Sequence, residues 1–176
     1  MKKQIRQQLL FPSGLILAFF LEGIIMKLFS SSLAGTFPMV PYLTLLWLID
    51  GTLFWGSQHA RMLYWAAFLM GAWYDSYFIG VIGIYMFIFP LVVYVTRLLL
   101  VYVDENLIGA TMIYLIDIII VLLLGYAGGR IGHLVYFSGI HFMAFAFGPT
   151  LGLNLILFLV LYYPIKRLFE FINNRS

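Results

Sequence analysis

The feature that most constrains this chain is a succession of apolar runs, each close to the roughly 20 residues that carry a helix across the hydrocarbon core of a bilayer. They cover residues 9–29, 37–55, 62–79, 82–103, 107–126 and 141–163, separated by short polar punctuation. Hydrophobic residues make up 64% of the 176 positions and charged residues 10%, whereas a soluble domain carries about 25% charged residues. A water-facing surface cannot be assembled from so few charges, and the mean hydropathy of +1.02 makes lipid the expected solvent. The fold expected is therefore all-α: a single integral membrane domain over residues 1–176, polytopic, with about six transmembrane helices.

The basic residues set the orientation, because cytoplasmic flanks carry an excess of Lys and Arg. With the N-terminus inside, Lys2, Lys3, Arg6, Arg61, Arg97, Lys166, Arg167 and Arg175 fall on the cytoplasmic side, and Lys27 and Arg130 on the other. An even number of spans returns the basic C-terminal tail to the inside, so count and charge bias agree on both termini being cytoplasmic. No small-x-small cleavage site follows within the usual distance, because the first apolar run extends to Met26-Lys27-Leu28-Phe29-Ser30, so that helix is expected to be retained. A pI near 9.2 raises nucleic-acid binding, but the basic residues cap apolar runs and form no stripe. The chain has no cysteine, which excludes disulfides, thiolate metal sites, cysteine nucleophiles and lipidation on cysteine.

Punctuation between the runs is specific. Ser30-Ser31-Ser32 closes the first, and Pro38 and Pro41 open the second, where prolines near a helix start cost little. Gly56-Ser57-Gln58-His59-Ala60-Arg61 forms a connector, Asp104-Glu105-Asn106 a charged loop, Gly128-Gly129-Arg130 the expected end of the fifth helix, and residues 131–140 a mixed loop or short interfacial helix. Pro90 lies inside the fourth run and is expected to kink it. Arg97 is placed to snorkel to the headgroups.

Acids at lipid depth stand out, because an ionised Asp at the centre of a helix costs about 2.5–3.5 kcal/mol on insertion scales. Glu22, Asp50, Asp75 and Asp117 all qualify. Such residues serve either as proton or ion ligands or as interhelical hydrogen-bonding groups, and the absence of a repeat or unwound-helix signature favours the structural or assembly role. Asp75 is the most informative: Gly71 lies four residues earlier on the same helical face, and Gly80 and Gly83 follow. Small residues let helices approach closely in lipid, so an acid beside such a contact is positioned to cap a helix start or bond a neighbouring backbone. In the first run Gly14, with Ala18 four residues on, offers a small-xxx-small helix contact.

Enzymatic constellations are incomplete. Tyr74-Asp75 is one half of an intramembrane aspartyl protease pattern, but Leu48-Ile49 precede Asp50 where Gly-x-Gly-Asp is required. Ser138-Gly139 matches the end of a rhomboid-type Gly-x-Ser-Gly, but position 136 is Tyr. His59, His133 and His141 make no metal-ligand pair at helical spacing, and no phosphate-binding loop is present. No catalytic residue, cofactor site or metal site is assigned.

The block Gly71-Ala72-Trp73-Tyr74-Asp75-Ser76-Tyr77-Phe78-Ile79-Gly80-Val81-Ile82-Gly83, with the apolar run through Pro90, resembles the MreD family of bacterial rod-shape-determining membrane proteins. The likeness includes Gly-x-x-x-Asp followed by a glycine pair, the Pro38-x-x-Pro41 approach to the second span, and a short basic tail after Pro164. The resemblance implies a non-enzymatic scaffold of the cell-elongation machinery in the plasma membrane. Such a scaffold binds MreC and acts through it on peptidoglycan glycosyltransferase and transpeptidase and the cytoskeletal elongation complex. It also implies a fold similar to the substrate-binding subunits of energy-coupling-factor vitamin transporters, which makes such a subunit the alternative. A vitamin binder needs convergent polar groups facing an outer pocket, whereas residues 30–36 and 129–138 supply few.

Overall fold

A computed structural model describes residues 2–33, 37–55, 59–104 and 106–174, with side-chain burial described for 10–171 within these ranges. Arg175, Glu105, the Gly56-Ser57-Gln58 part of the connector, residues 34–36 of the outer loop and the side chains of Lys2, Lys3 and Arg6 lie outside the described parts. Among the described residues the secondary structure is all helical, with no strand. Its elements are α1 (Lys2–Leu28), a short α2 (Ser30–Leu33), α3 (Leu43–Trp55), α4 (Ala60–Tyr74), α5 (Tyr85–Leu99), α6 (Leu107–Ile131), a short α7 (Gly139–His141) and α8 (Gly148–Asn174). α4 runs on into a π-helical turn at Asp75–Ile79, and a second π-helical segment, Phe142–Phe147, joins α7 to α8.

The long helices α1, α3, α4, α5, α6 and α8 alternate in direction. Near its C-terminal end α1 meets the start of α3 through Glu22 and Thr44, and near its N-terminal end Phe11 stacks on Trp55 at the other end of α3. α4 and α5 pair antiparallel through Gly71 beside Tyr85 and Tyr64 beside Arg97. α6 does the same with α8 and the π-helical segment that leads into it, through Tyr114 on Phe158 of α8 and Tyr126 on Phe142 of that segment. α3 and α8 run parallel, with Tyr42 beside Asn154 and Trp55 beside Phe169. The bundle thus has an end where Asp75 lies and an opposite end where both terminal helices finish.

Three stretches are long and apolar enough to cross a membrane: Leu10–Leu28, Leu107–Ile131 and Gly139–Phe171; Leu43–Trp55 and Tyr85–Leu99 are shorter apolar helices. The core is built of Phe11, Leu45, Leu63, Phe89, Tyr114 and Phe158 and their neighbours, while large side chains such as Leu17, Trp65, Leu69, Phe87 and Ile108 stand on the outer surface. A surface this apolar is solvated by hydrocarbon.

Helix boundaries depart from those read off the apolar runs, each for a local reason. α3 starts at Leu43 and not at Phe37, because residues 38–42 take an extended course that α8 holds by hydrogen bonds. α6 continues through Gly128-Gly129-Arg130 to Ile131. There the glycines are packing positions, since a Cβ at Gly128 would come within 2.8 Å of Ile84 and one at Gly129 within 2.8 Å of Val135. α8 continues through Pro164 and Lys166-Arg167, which makes the basic tail part of a helix. Likewise α5 is helical across Pro90. Asn106 caps α6 by accepting the Gly109 N–H at 2.8 Å, the role that side chain takes at helix starts.

Candidate functional site

Two buried polar centres sit inside the bundle. The first is at the Asp75 end. Asp75 lies where α4 gives way to its π turn, and its carboxylate reaches the start of α5: Oδ2 accepts from Gly83 N at 2.8 Å and Met86 N at 3.1 Å, and Oδ1 from Tyr85 N at 2.8 Å. The first amides of a helix have no partner within it, and a carboxylate there also meets the positive end of the helix dipole. Asp75 therefore caps the helix that follows it in sequence.

The loop between these helices turns through Gly80 and Gly83, whose φ values of 81° and 120° lie where a Cβ is penalised. Gly71, one turn before Asp75, lets the α5 backbone lie directly against α4. A Cβ there would collide with the Tyr85 carbonyl and come within 2.7 Å of Met86 Cα. Gly71, Asp75, Gly80 and Gly83 thus form one joint between two helices.

Glu22 of α1 sits next to this joint, fully buried. Its Oε1 accepts from the Tyr74 hydroxyl at 2.6 Å, and its Oε2 from Thr44 N at 2.9 Å and Thr44 Oγ1 at 2.7 Å. One carboxyl so ties α1 to the start of α3 and to α4. Tyr42 and Tyr85 share a hydroxyl–hydroxyl bond of 2.9 Å. From α8, Asn154 accepts from Tyr42 N at 2.8 Å and donates to Val40 O at 2.7 Å and Thr150 O at 2.8 Å, which satisfies backbone groups of the extended stretch.

The second centre lies deeper toward the opposite end and is held differently. Asp117 of α6 accepts from Thr96 Oγ1 of α5 at 2.6 Å through one oxygen. Its other oxygen, both oxygens of Asp50 on α3, and the Tyr114 hydroxyl are buried without a hydrogen-bonding partner among the described residues. Tyr114 lies on the same helix as Asp117, and its ring stacks on Phe158 of α8. Arg97, next to Thr96, lies over the Tyr64 ring at 6.0 Å, with one guanidinium nitrogen buried and unpartnered. Pro90 joins neither centre; it lies half-buried beside a shallow surface formed with Arg61, Tyr64, Trp65 and Phe68.

Of the residues singled out from sequence, the structure brings together Glu22, Gly71, Asp75, Gly80 and Gly83 at one end, whereas among the described residues no hydrogen bond ties Asp50 to Asp117. Sequence reasoning passed over Thr44, Tyr42, Tyr85, Thr96, Tyr114 and Asn154. Asn154 carried a signal, being an amide inside the long apolar run 149–161; the hydroxyls carried none, because Tyr and Thr are ordinary in membrane helices. No group of three or more His, Asp or Glu capable of holding a metal occurs among the described residues.

An all-helical bundle with an apolar exterior and carboxylates buried as helix ties defines the class as a helical membrane protein. The comparison with known families identifies which: a match to the rod shape-determining protein MreD family covers residues 7–172, and the chain belongs to that family. No curated protein and no solved structure matches it.

Proposed function

We propose that this chain is a multi-pass, non-enzymatic scaffold of the bacterial cell-elongation machinery. It sits in the plasma membrane with both termini cytoplasmic, binds MreC, and through MreC influences peptidoglycan synthesis. The family match over nearly the whole chain, with its role in rod shape determination, carries this reading. The architecture supports it: the buried carboxylates of Glu22 and Asp75 are committed to backbone and hydroxyl donors that fix helix positions, the use expected of a rigid platform. The Asp75 joint and the helices it positions are the candidate contact for a partner helix, which in lipid associates by packing and interhelical hydrogen bonds.

A substrate-binding subunit of an energy-coupling-factor transporter fits less well. Its first helix would need small residues free for a coupling subunit, but Gly14 is covered by the Trp47 ring of α3 in the same chain.

Affinity purification of the tagged protein from its native membrane in mild detergent, with mass spectrometry of what accompanies it, tests the proposal. Recovery of MreC and peptidoglycan synthases is expected. Recovery of a transmembrane coupling subunit with two ATPases would overturn it.

A further inference from the structure

The Asp75 end of the bundle holds a half-open cavity of about 350 Å³, near the lower bound of the ~300–1,000 Å³ typical of small-molecule sites. Its wall draws on both π-helical segments: Phe78 and Ile79 come from the first, Phe142 and Ala146 from the second. π turns are rare, give up the regular helical ladder, and concentrate at functional sites. Here they flank one space. No Asp, Glu, Lys or Arg is among the described residues that line it, so a charged ligand would have no counter-charge on its wall.

The hydroxyls decide the polarity. Tyr74 spends its proton on Glu22 and Tyr126 spends its own on the Phe137 carbonyl at 3.1 Å. Tyr42 and Tyr85 share a single bond in which one donates and the other accepts. Two O–H groups and one bond leave one proton with no acceptor among the described residues, on side chains only 6% and 5% exposed. A buried donor in this state is costly, and a neutral acceptor relieves the cost.

The geometry points to a lipid-binding site: the cavity takes part of an apolar chain of a membrane lipid, with an uncharged oxygen such as an ester carbonyl accepting the spare proton of the Tyr42–Tyr85 pair. At the ~30 Å³ that a water-sized group occupies, the space holds about a dozen heavy atoms, a chain segment with the headgroup left outside. The inference goes beyond the scaffold reading, and its test does not depend on it.

The purified full chain, placed in vesicles of phosphatidylethanolamine and phosphatidylglycerol containing a phosphatidylglycerol with a diazirine on its acyl chain, is irradiated and its cross-links mapped by mass spectrometry. Labels are expected on Leu122, Tyr126 and Ala146 of the cavity as well as on the exposed Trp65 and Leu69. Ala146→Phe and, separately, Gly125→Leu fill the space and should cut the cavity labels at least about tenfold, leaving those on Trp65 and Leu69 unchanged as proof of a folded, inserted chain. Should Gly125→Leu fail to fold, because its Cβ would come within 2.9 Å of the Tyr85 hydroxyl, Ala146→Phe alone carries the test. Removing both protons in a Tyr42→Phe, Tyr85→Phe double variant should cost about fivefold. Cavity labels absent from the wild type, or equal in the filled variants, would overturn the proposal.

Discussion

The two buried polar centres contain the same kind of group and treat it in opposite ways. At the Asp75 end, Glu22 and Asp75 each receive three donors across helix boundaries. In the deeper centre, Asp50 receives none and Asp117 one. A saturated acid repays its desolvation by fixing backbone geometry, whereas an unsaturated one is a cost to the fold that packing elsewhere must offset. The contrast separates acids that tie helices together from acids whose oxygens find few or no donors among the described residues.

Variants can break this contrast or sharpen it. Asp75→Ala leaves the amides of Gly83, Tyr85 and Met86 at the entry to α5, one buried and two half-buried, without their acceptor and should be the most damaging change, destabilising by about 3–5 kcal/mol, read as a lowered melting temperature in mild detergent and reduced abundance in the membrane. Glu22→Ala should cost about 2–4 kcal/mol, while Glu22→Gln, which keeps one acceptor oxygen, should recover most of it; equal melting of the two would deny that the hydrogen bonds matter. Gly71→Leu forces α4 and α5 apart at a backbone contact and should cost about 2–3 kcal/mol. Asp50→Leu should melt within about 1 kcal/mol of the wild type or above it. If it melts as low as Asp75→Ala, the two centres are energetically alike and the contrast fails; if it is stable but does not restore rod shape to a strain lacking the protein, Asp50 serves function at the expense of the fold. Arg97→Lys should be the mildest, within about 0.5 kcal/mol.

Legibility in the sequence followed the same division. Gly71 and Asp75 could be paired because four residues is one helical turn, and the glycines after them announce a tight reversal; the joint is local, so local spacing reveals it. Membership of the bundle was legible for the same reason, since runs of apolar residues report length directly. The partners of Glu22 were not, because Thr44 and Tyr74 come to it from other helices and nothing in their own neighbourhoods marks them. Glycines 128 and 129 looked like a helix stop, yet in lipid, where an exposed backbone is penalised, they let Ile84 and Val135 approach an unbroken α6. Pro164 gave the same impression and is likewise carried within α8.

The extended stretch before α3 has a consequence for biogenesis. α3 has 13 residues and is about 20 Å long, short of the ~30 Å hydrocarbon thickness. The remainder of its path is non-helical chain whose Tyr42 amide and Val40 carbonyl, among the described residues, find their partner on Asn154, 112 residues after Tyr42 in the sequence. Bare backbone of this kind is not tolerated against lipid. During synthesis, residues 38–42 must wait in water, in the translocation machinery or in a provisional helix until α8 is delivered. The final helix thus acts as a keystone set after the arch: ribosome-bound chains released before residue 148 should be open to membrane proteases.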